Sequence, residues 1–263
     1  MSKMSDFIQS RRAGRVLYLY LNRPEVFNSF NREMALALQD ELQLAADDAE
    51  VRAVVLTGMG KAFCAGQDLK EVTIPELNPG FKKILEEHYN PIIKQIRALK
   101  KPVIAAVNGV AAGAGANIAL ACDLVVATEQ ASFIQAFSKI GLVPDSGGTF
   151  FLPRLIGMQR ATALMFLGDK VSAEEAERIG MIYKAVSPDE YEQTVDMLAE
   201  RLAGLPTAAL ARTKMLLNSS LNSSLEGQLQ LESEQQIAAA QSIDYAEGVA
   251  AFIDKRKPNF IGR

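Results

Sequence analysis

One histidine, two cysteines and no tryptophan occur in 263 residues. A Ser-His-Asp or Cys-His arrangement would have to use His88, and no G-x-S-x-G elbow accompanies it. His88 is instead read as a surface or pocket-wall residue. A single histidine with the distant Cys64 and Cys122 offers no zinc spacing, so no metal site is expected. The phosphate loop G-x-x-x-x-G-K-[ST] is also missing. Gly113-Ala114-Gly115 starts a G-x-G-x-x pattern, but Ile118 stands where the third glycine belongs, and the segment is mid-chain, which argues against a dinucleotide site. No apolar run is long enough to cross a membrane and no secretory segment opens the chain. Arg11, Arg12 and Arg15 sit beside Asp6 and run into a strand, unlike a transit peptide. So few cysteines suit a reduced cytoplasm without a disulfide. A formal net charge of −3 leaves no nucleic-acid footprint.

What is present is an apolar fraction of 49%, enough for one substantial core with a smaller terminal piece. Arg15 to Asn22 alternates as a strand. Asn31 to Ala46 has helical spacing, and Val51 to Thr57 is another strand. Strand–helix–strand order points to a parallel α/β sheet. Lys61 to Leu69 is a small-residue loop after a strand, a common place for ligands. Glu71 to Phe81 holds two prolines and reads as loop. Lys82 to Lys100 is an amphipathic helix bent near Pro91, with Lys82, Lys83, Lys94, Arg97, Lys100 and Lys101 read as a solvated face. Further strands are expected at 103–107, 124–127, 132–135 and 181–186, and helices at 153–167 and 173–179. From Pro188 onward the chain turns helical, over 190–203, 207–219, 224–237 and 242–252. Residues 1–187 are therefore expected to form an α/β core and 188–263 a helical region.

The segment from Pro102 to Thr149 carries the chemistry. The run from Ala111 to Ala116 has only methyl or hydrogen side chains, so another molecule can reach its backbone. It opens a helix, whose first N–H groups lack internal partners and carry the positive end of the dipole. Such a loop can hold developing negative charge, or it can simply pack a helix closely on a strand. Asp145 lies among Ile140, Leu142, Val143, Pro144, Phe150 and Phe151. Desolvation there would raise its pKa toward that of a general base. Alternatively, Asp145 or Ser146 caps the helix starting near Thr149.

The segments LNRPEVFNSFN, LTGMGKAFCAGQDLKE, KPVIAAVNGVAAGAGANIALACDLVVAT, GLVPDSGGTFFLPRLIG and EGVAAFIDKRKPNF resemble the enoyl-CoA hydratase/isomerase (crotonase) family, from about residue 7 to the C-terminus. The resemblance implies an α/β fold, a crotonase-like spiral of ββα units with a helical C-terminal part that forms trimers or paired trimers. It implies an acyl-CoA thioester substrate, coenzyme A being part of the substrate and no separate cofactor being needed. It puts two backbone donors for the thioester oxygen at Gln67 and Ala114, with Gly115 next to the second, and coenzyme A contacts around Val26, Ala65, Asp68 and Leu69.

The departures from the family pattern bear on the reaction. Where hydratases of the family carry two water-activating glutamates, this chain has Asn117 and, in place of a P-E pair, Ala136-Phe137. Asp145 instead matches the acid of several isomerases, and Phe137 would help to exclude water. The chain looks most like the isomerase branch, whose members rearrange ring-epoxidised phenylacetyl-CoA or shift a Δ3 double bond to Δ2. Hydration, thioester hydrolysis, dehalogenation with Asp145 as nucleophile, and a binding protein without catalysis remain the alternatives. The roles of His88, Tyr89 and Phe81 stay open.

Overall fold

A long strand, a short strand and a helix recur along the chain of this computed structural model, which describes residues 6–263. An antiparallel hairpin, β1 (Ile8–Ala13) and β2 (Val16–Leu21), leads into helix α1 (Arg32–Asp47). The next unit is β3 (Ala53–Gly58), β4 (Ala62–Cys64) and helices α2 (Leu69–Thr73), α3 (Phe81–Lys83) and α4 (Asn90–Ala98). Then come β5 (Val103–Val107), β6 (Val110–Ala112) and α5 (Ala114–Ala121), followed by β7 (Leu124–Thr128), β8 (Ser132–Ile134), α6 (Gly148–Ile156) and α7 (Met158–Leu167). Strand β9 (Lys170–Ser172), helix α8 (Ala173–Arg178) and strand β10 (Lys184–Val186) close the series. The long strands form one sheet in the order β1-β2-β3-β5-β7-β10, and the short ones a second sheet in the order β4-β6-β8-β9. Apart from β1–β2 and β8–β9, the pairings are parallel. The first hairpin lies wholly in the six-stranded sheet, and from β3 onward each turn of chain adds one strand to both sheets, which is the expected spiral.

The long sheet is covered on both faces, so its central strands are apolar throughout rather than alternating. Val54, Leu56, Val103, Ala105 and Val107 face the main core with α1, α4 and α5. Ala53, Val55, Ile104, Ala106 and Val126 face the other side, where Val195, Ala199 and Ala203 of α9 (Pro188–Gly204) pack on them. Helices α10 (Thr207–Ser220), α11 (Leu225–Ala240) and α12 (Ile243–Ile253) follow. Ser224 and Ser242 cap α11 and α12 by accepting from Gly227 and Tyr245 N–H groups.

Three sequence expectations need correction. The arginines at 11 and 12 lie within an edge strand, β1, whose exposed charges hid its pattern. Lys101 is buried: its Nζ donates to the carbonyls of Ala45, Ala46 and Asp48 and so caps the C-terminus of α1. Arg97 likewise turns inward, to Ala121 O at 3.0 Å and Asp123 at 3.3 Å. The helix expected over 82–100 is interrupted by a π-helical segment, Ile84–Tyr89. Pro91 has no N–H to give the Glu87 carbonyl four residues back. Gln39 of α1 supplies that donor from its Nε2, at 2.8 Å to Glu87 O and 3.1 Å to His88 O.

Two asparagines hold the corner between the sheets. Asn28, fully buried at φ 56°, donates to Met59 O at 2.9 Å and Ala62 O at 2.8 Å. Asn108 accepts from Gly58 N–H at 3.2 Å and donates to Gly60 O at 3.0 Å. Asparagine offers both a donor and an acceptor, and Asn28 also takes the left-handed region, so the pair closes the corner between β3 and β4.

Candidate active site

The loop after β4 is braced along its length by the segment before α1. Ala65 N–H donates to Phe27 O at 3.0 Å, Phe30 N–H to Gly66 O at 2.7 Å, and Asp68 N–H to Phe30 O at 2.8 Å. In a trans peptide the C=O and N–H point oppositely. Because Gly66 O is turned toward Phe30, the Gln67 N–H is turned away from it, and within the described residues that N–H has no acceptor. Asp68 is held by Arg23 (2.8 Å) and caps α2 by accepting from Lys70 N–H at 3.0 Å. Ala65 and Val26 are half-buried beside it, and Leu69 is 62% exposed.

The second donor lies at the start of α5. Gly113 O accepts from Asn117 N–H at 3.2 Å, so the Ala114 N–H points out of the helix N-terminus, again without an acceptor in the described residues. Glycines bring the two loops together. Gly66, at φ +94°, lies so close that a Cβ on it would stand 3.0 Å from Ala112 O and 3.6 Å from Ala114 N. A Cβ on Gly115 would fall 2.3 Å from Cys64 O. Two adjacent loops, each with an N–H group lacking an acceptor among the described residues, thus lie against each other at a helix N-terminus, where such donors can serve an oxyanion.

Asp145 is attached to the same helix. Asn117, on the next turn of α5, donates from Nδ2 to Asp145 O at 2.9 Å and accepts from Gln135 Nε2 at 2.8 Å. Its side chain is fully buried, and a Cβ on Gly148 would strike it at 2.3 Å. Asn117, expected to line the substrate, is thus a strut that sets the height of the Asp145 loop. Asp145 does not cap α6, whose N-cap is Gly147 without a side-chain bond. Burial raises the Asp145 carboxyl from 3.8 to about 6, while the Ser146 hydroxyl, donating at 2.8 Å, acts in the opposite direction. Phe137 is buried, with its ring edge against Gly113, so that a Cβ there would be 3.7 Å away.

The three residues left open by the sequence now have surroundings. His88 is buried behind the site rather than exposed, close to Arg32 Nη1 at 3.1 Å, and burial pushes it below the ordinary histidine value. Tyr89 is buried, and its hydroxyl donates to Gln67 Oε1 at 2.8 Å. Phe81 stays half exposed. A cavity of about 1040 Å³ lies elsewhere, between α10, the ends of α1 and α4 and the C-terminal residues. None of the candidate residues lines it. Its buried cations are already engaged, Lys214 with Ile96 O at 2.7 Å and Asp123 at 2.8 Å, and Arg52 with Thr207 at 2.7 Å.

Known proteins resemble this chain over nearly its whole length. Residues 11–263 match the family model described as enoyl-CoA hydratase/isomerase. A 1,2-epoxyphenylacetyl-CoA isomerase of Escherichia coli K12 is 45% identical over 99% of this chain and 100% of its own length. A "probable enoyl-CoA hydratase" of Rhodobacter capsulatus is 46% identical over 92% of this chain and 93% of its own. The crystal structure of an enoyl-CoA hydratase from Polaromonas sp. JS666 superposes with a TM-score of 0.90 at 34% identity, over 96% of this chain and 99% of that one.

Proposed function

The chain belongs to the enoyl-CoA hydratase/isomerase family, and from that premise we propose that it is an acyl-CoA isomerase with one working carboxylate. The thioester carbonyl accepts from the Gln67 and Ala114 N–H groups. Asp145 takes a proton from the α carbon, the electron pair spreads into a dienolate whose oxygen the two donors hold, and the carboxylic acid returns the proton to the γ carbon. The double bond moves from Δ3 to Δ2 without gain or loss of atoms. On a ring-epoxidised phenylacetyl-CoA the same groups assist opening and rearrangement to the oxepin. That substrate class is suggested by the name of the Escherichia coli relative. Coenzyme A enters as part of the substrate, against Val26, Ala65, Asp68 and Leu69, and no separate cofactor takes part. The setting is the cytoplasm, and the working form is a homotrimer or hexamer built through the helical region 188–263.

The observation that carries this reading is the pairing of one half-buried carboxyl, raised to about 6, with the buried amide and phenyl ring of Asn117 and Phe137 where the family resemblance puts the acids of a hydratase. A base of that pKa is ionised at neutral pH yet releases its proton readily. Hydration remains the second reading, because the name of the Rhodobacter relative favours it. Mass-resolved turnover of paired 3-enoyl-CoA and 2-enoyl-CoA substrates separates the two. Conversion of the 3-enoyl to the 2-enoyl form at constant mass is expected. Rapid gain of one water by the 2-enoyl form would replace isomerisation with hydration.

A further inference from the structure

We infer that Tyr89 is a positioning residue: by holding the Gln67 side chain, it fixes the direction in which the Gln67 backbone N–H meets the thioester oxygen. The inference rests on the reading of that N–H as a carbonyl donor.

Gln67 follows a glycine at φ +94°, a position where the chain has no side chain to limit its rotation. The backbone bond from Phe30 to Gly66 O holds one side of the shared peptide. The other restraint is the Gln67 amide, which is gripped at both ends. Tyr89 Oη donates to its Oε1 at 2.8 Å, and its Nε2 donates to Glu71 Oε2 at 2.6 Å. A carboxylate only accepts, so Nε2 must face Glu71 and Oε1 must face Tyr89; the amide has one orientation. Glu71 is itself tied down, its other oxygen accepting from Arg32 N–H at 2.7 Å.

Tyr89 is a firm anchor. Its ring is 1% exposed and meets the edge of Phe30 at a centroid distance of 5.9 Å and 74°. Phe30 is the same residue whose backbone holds Gly66. Tyr89 ends the π-helical segment 84–89, the widened turn that Pro91 and Gln39 maintain. Such segments occur often at functional sites, and here the extra residue per turn brings Tyr89 onto Gln67. Burial first, and then the Cys64, Asp145, Glu71 and Asp68 groups nearby, hold the Tyr89 hydroxyl well above the ordinary tyrosine value. It is a neutral donor throughout the assay range, so its contribution does not vary with pH.

The test compares Tyr89→Phe, Gln67→Ala and the double variant, using whichever acyl-CoA the wild type turns over. Tyr89→Phe keeps the ring and its packing. It is expected to lower kcat by roughly three- to tenfold, the range for one hydrogen bond, with little change in KM. The Asp145 limb of the pH profile should stay in place. On the Gln67→Ala background, which retains the backbone N–H, adding Tyr89→Phe should have no further effect. Isotope-edited infrared spectra of a bound saturated acyl-CoA give a reading independent of turnover: the carbonyl band, lowered in the wild type, should move back toward its free frequency in Tyr89→Phe. An unchanged kcat and band in Tyr89→Phe overturns the inference. So does a loss of equal size on both backgrounds. A wild-type enzyme that adds water leaves this test intact, since the same carbonyl is polarised. A wild-type band that does not move on binding removes Gln67 as a donor, and the clamp with it.

Discussion

In the proposed isomerase, Asp145 concentrates the chemistry in one side chain and links activity to stability. Its carboxyl is raised from 3.8 to about 6 by burial, so kcat/KM is expected to climb as pH rises through about 6 and the base ionises. Ser146 moderates the shift from 2.8 Å away, and it sits at φ 51°. Ser146→Gly removes the hydroxyl while easing the backbone, and should move that limb upward in pH; a limb that stays put or moves down removes Ser146 from the balance. Asp145→Asn should abolish turnover while acyl-CoA binding, followed by calorimetry, survives. The same variant has a stability signature. A carboxyl raised in the folded state contributes stability that is fully present below its unfolded pKa and lost as pH rises through its folded one. At pH 8 the wild type buries a charge that the amide lacks, so Asp145→Asn should melt higher, by the equivalent of about 1–3 kcal/mol. The two proteins should converge below about pH 4. The apolar neighbours of Asp145 made its environment legible in the sequence. Asn117 was not legible in the same way: its bonds run to Gln135 and to the Asp145 carbonyl, 18 and 28 residues away. A missing glutamate can be read from a pattern, but the work of the residue that replaced it depends on tertiary contacts.

At the scale of elements, the site depends on how closely α5 approaches the β4 loop. Gly115 has helical φ, so conformation alone would accept alanine there. Space does not, because a Cβ would lie 2.3 Å from Cys64 O and 2.7 Å from its Cβ. Backbone must move, and it carries Ala114 N–H away from Gln67. Gly115→Ala is therefore expected to lose stability by roughly 1–3 kcal/mol and nearly all kcat. Gly14→Ala is the contrast: at φ +56° with nothing within 4 Å, it should cost about 1–2 kcal/mol from backbone strain alone and leave kcat unchanged. Urea melts and turnover of both proteins separate the effects. The small-residue run from 111 to 116 announced close approach, but not its partner. Long helices and buried strands were legible because periodicity and apolar runs are local signals. The π-helical segment was not, since it needs Pro91 to free a carbonyl and Gln39, from another helix, to satisfy it. Strand β9, of three residues, is too short to show a period.

Across the whole molecule, the last helices are unlike the rest. Residues in α9 complete the sheet core, whereas α11 buries none of its residues. Leu225 is 70% exposed, Ile237 60%, and in α12 Phe252 is 86% and Ile253 71% exposed. The sequence places these helices over 224–237 and 242–252, and their serine caps, being local, stand at the first residue of each range. Among the described residues nothing covers their apolar side chains. Single exposed apolar residues are ordinary on a surface, but a concentration on consecutive helices marks an association site. A second copy of the same chain is the occupant consistent with the trimer or hexamer proposed above, since a closed ring can cover equivalent faces on every subunit. Sedimentation equilibrium at micromolar concentration should give three or six chains per particle. Introducing charge through Phe252→Asp and Ile253→Asp together should shift the particle toward smaller species, because an unpaired carboxylate in an apolar interface is strongly disfavoured. The melting temperature of the wild type should rise with protein concentration, as mass action requires for a fold completed by association. A wild type that sediments as a single chain, with a melting temperature independent of concentration, would assign those helices to some other partner.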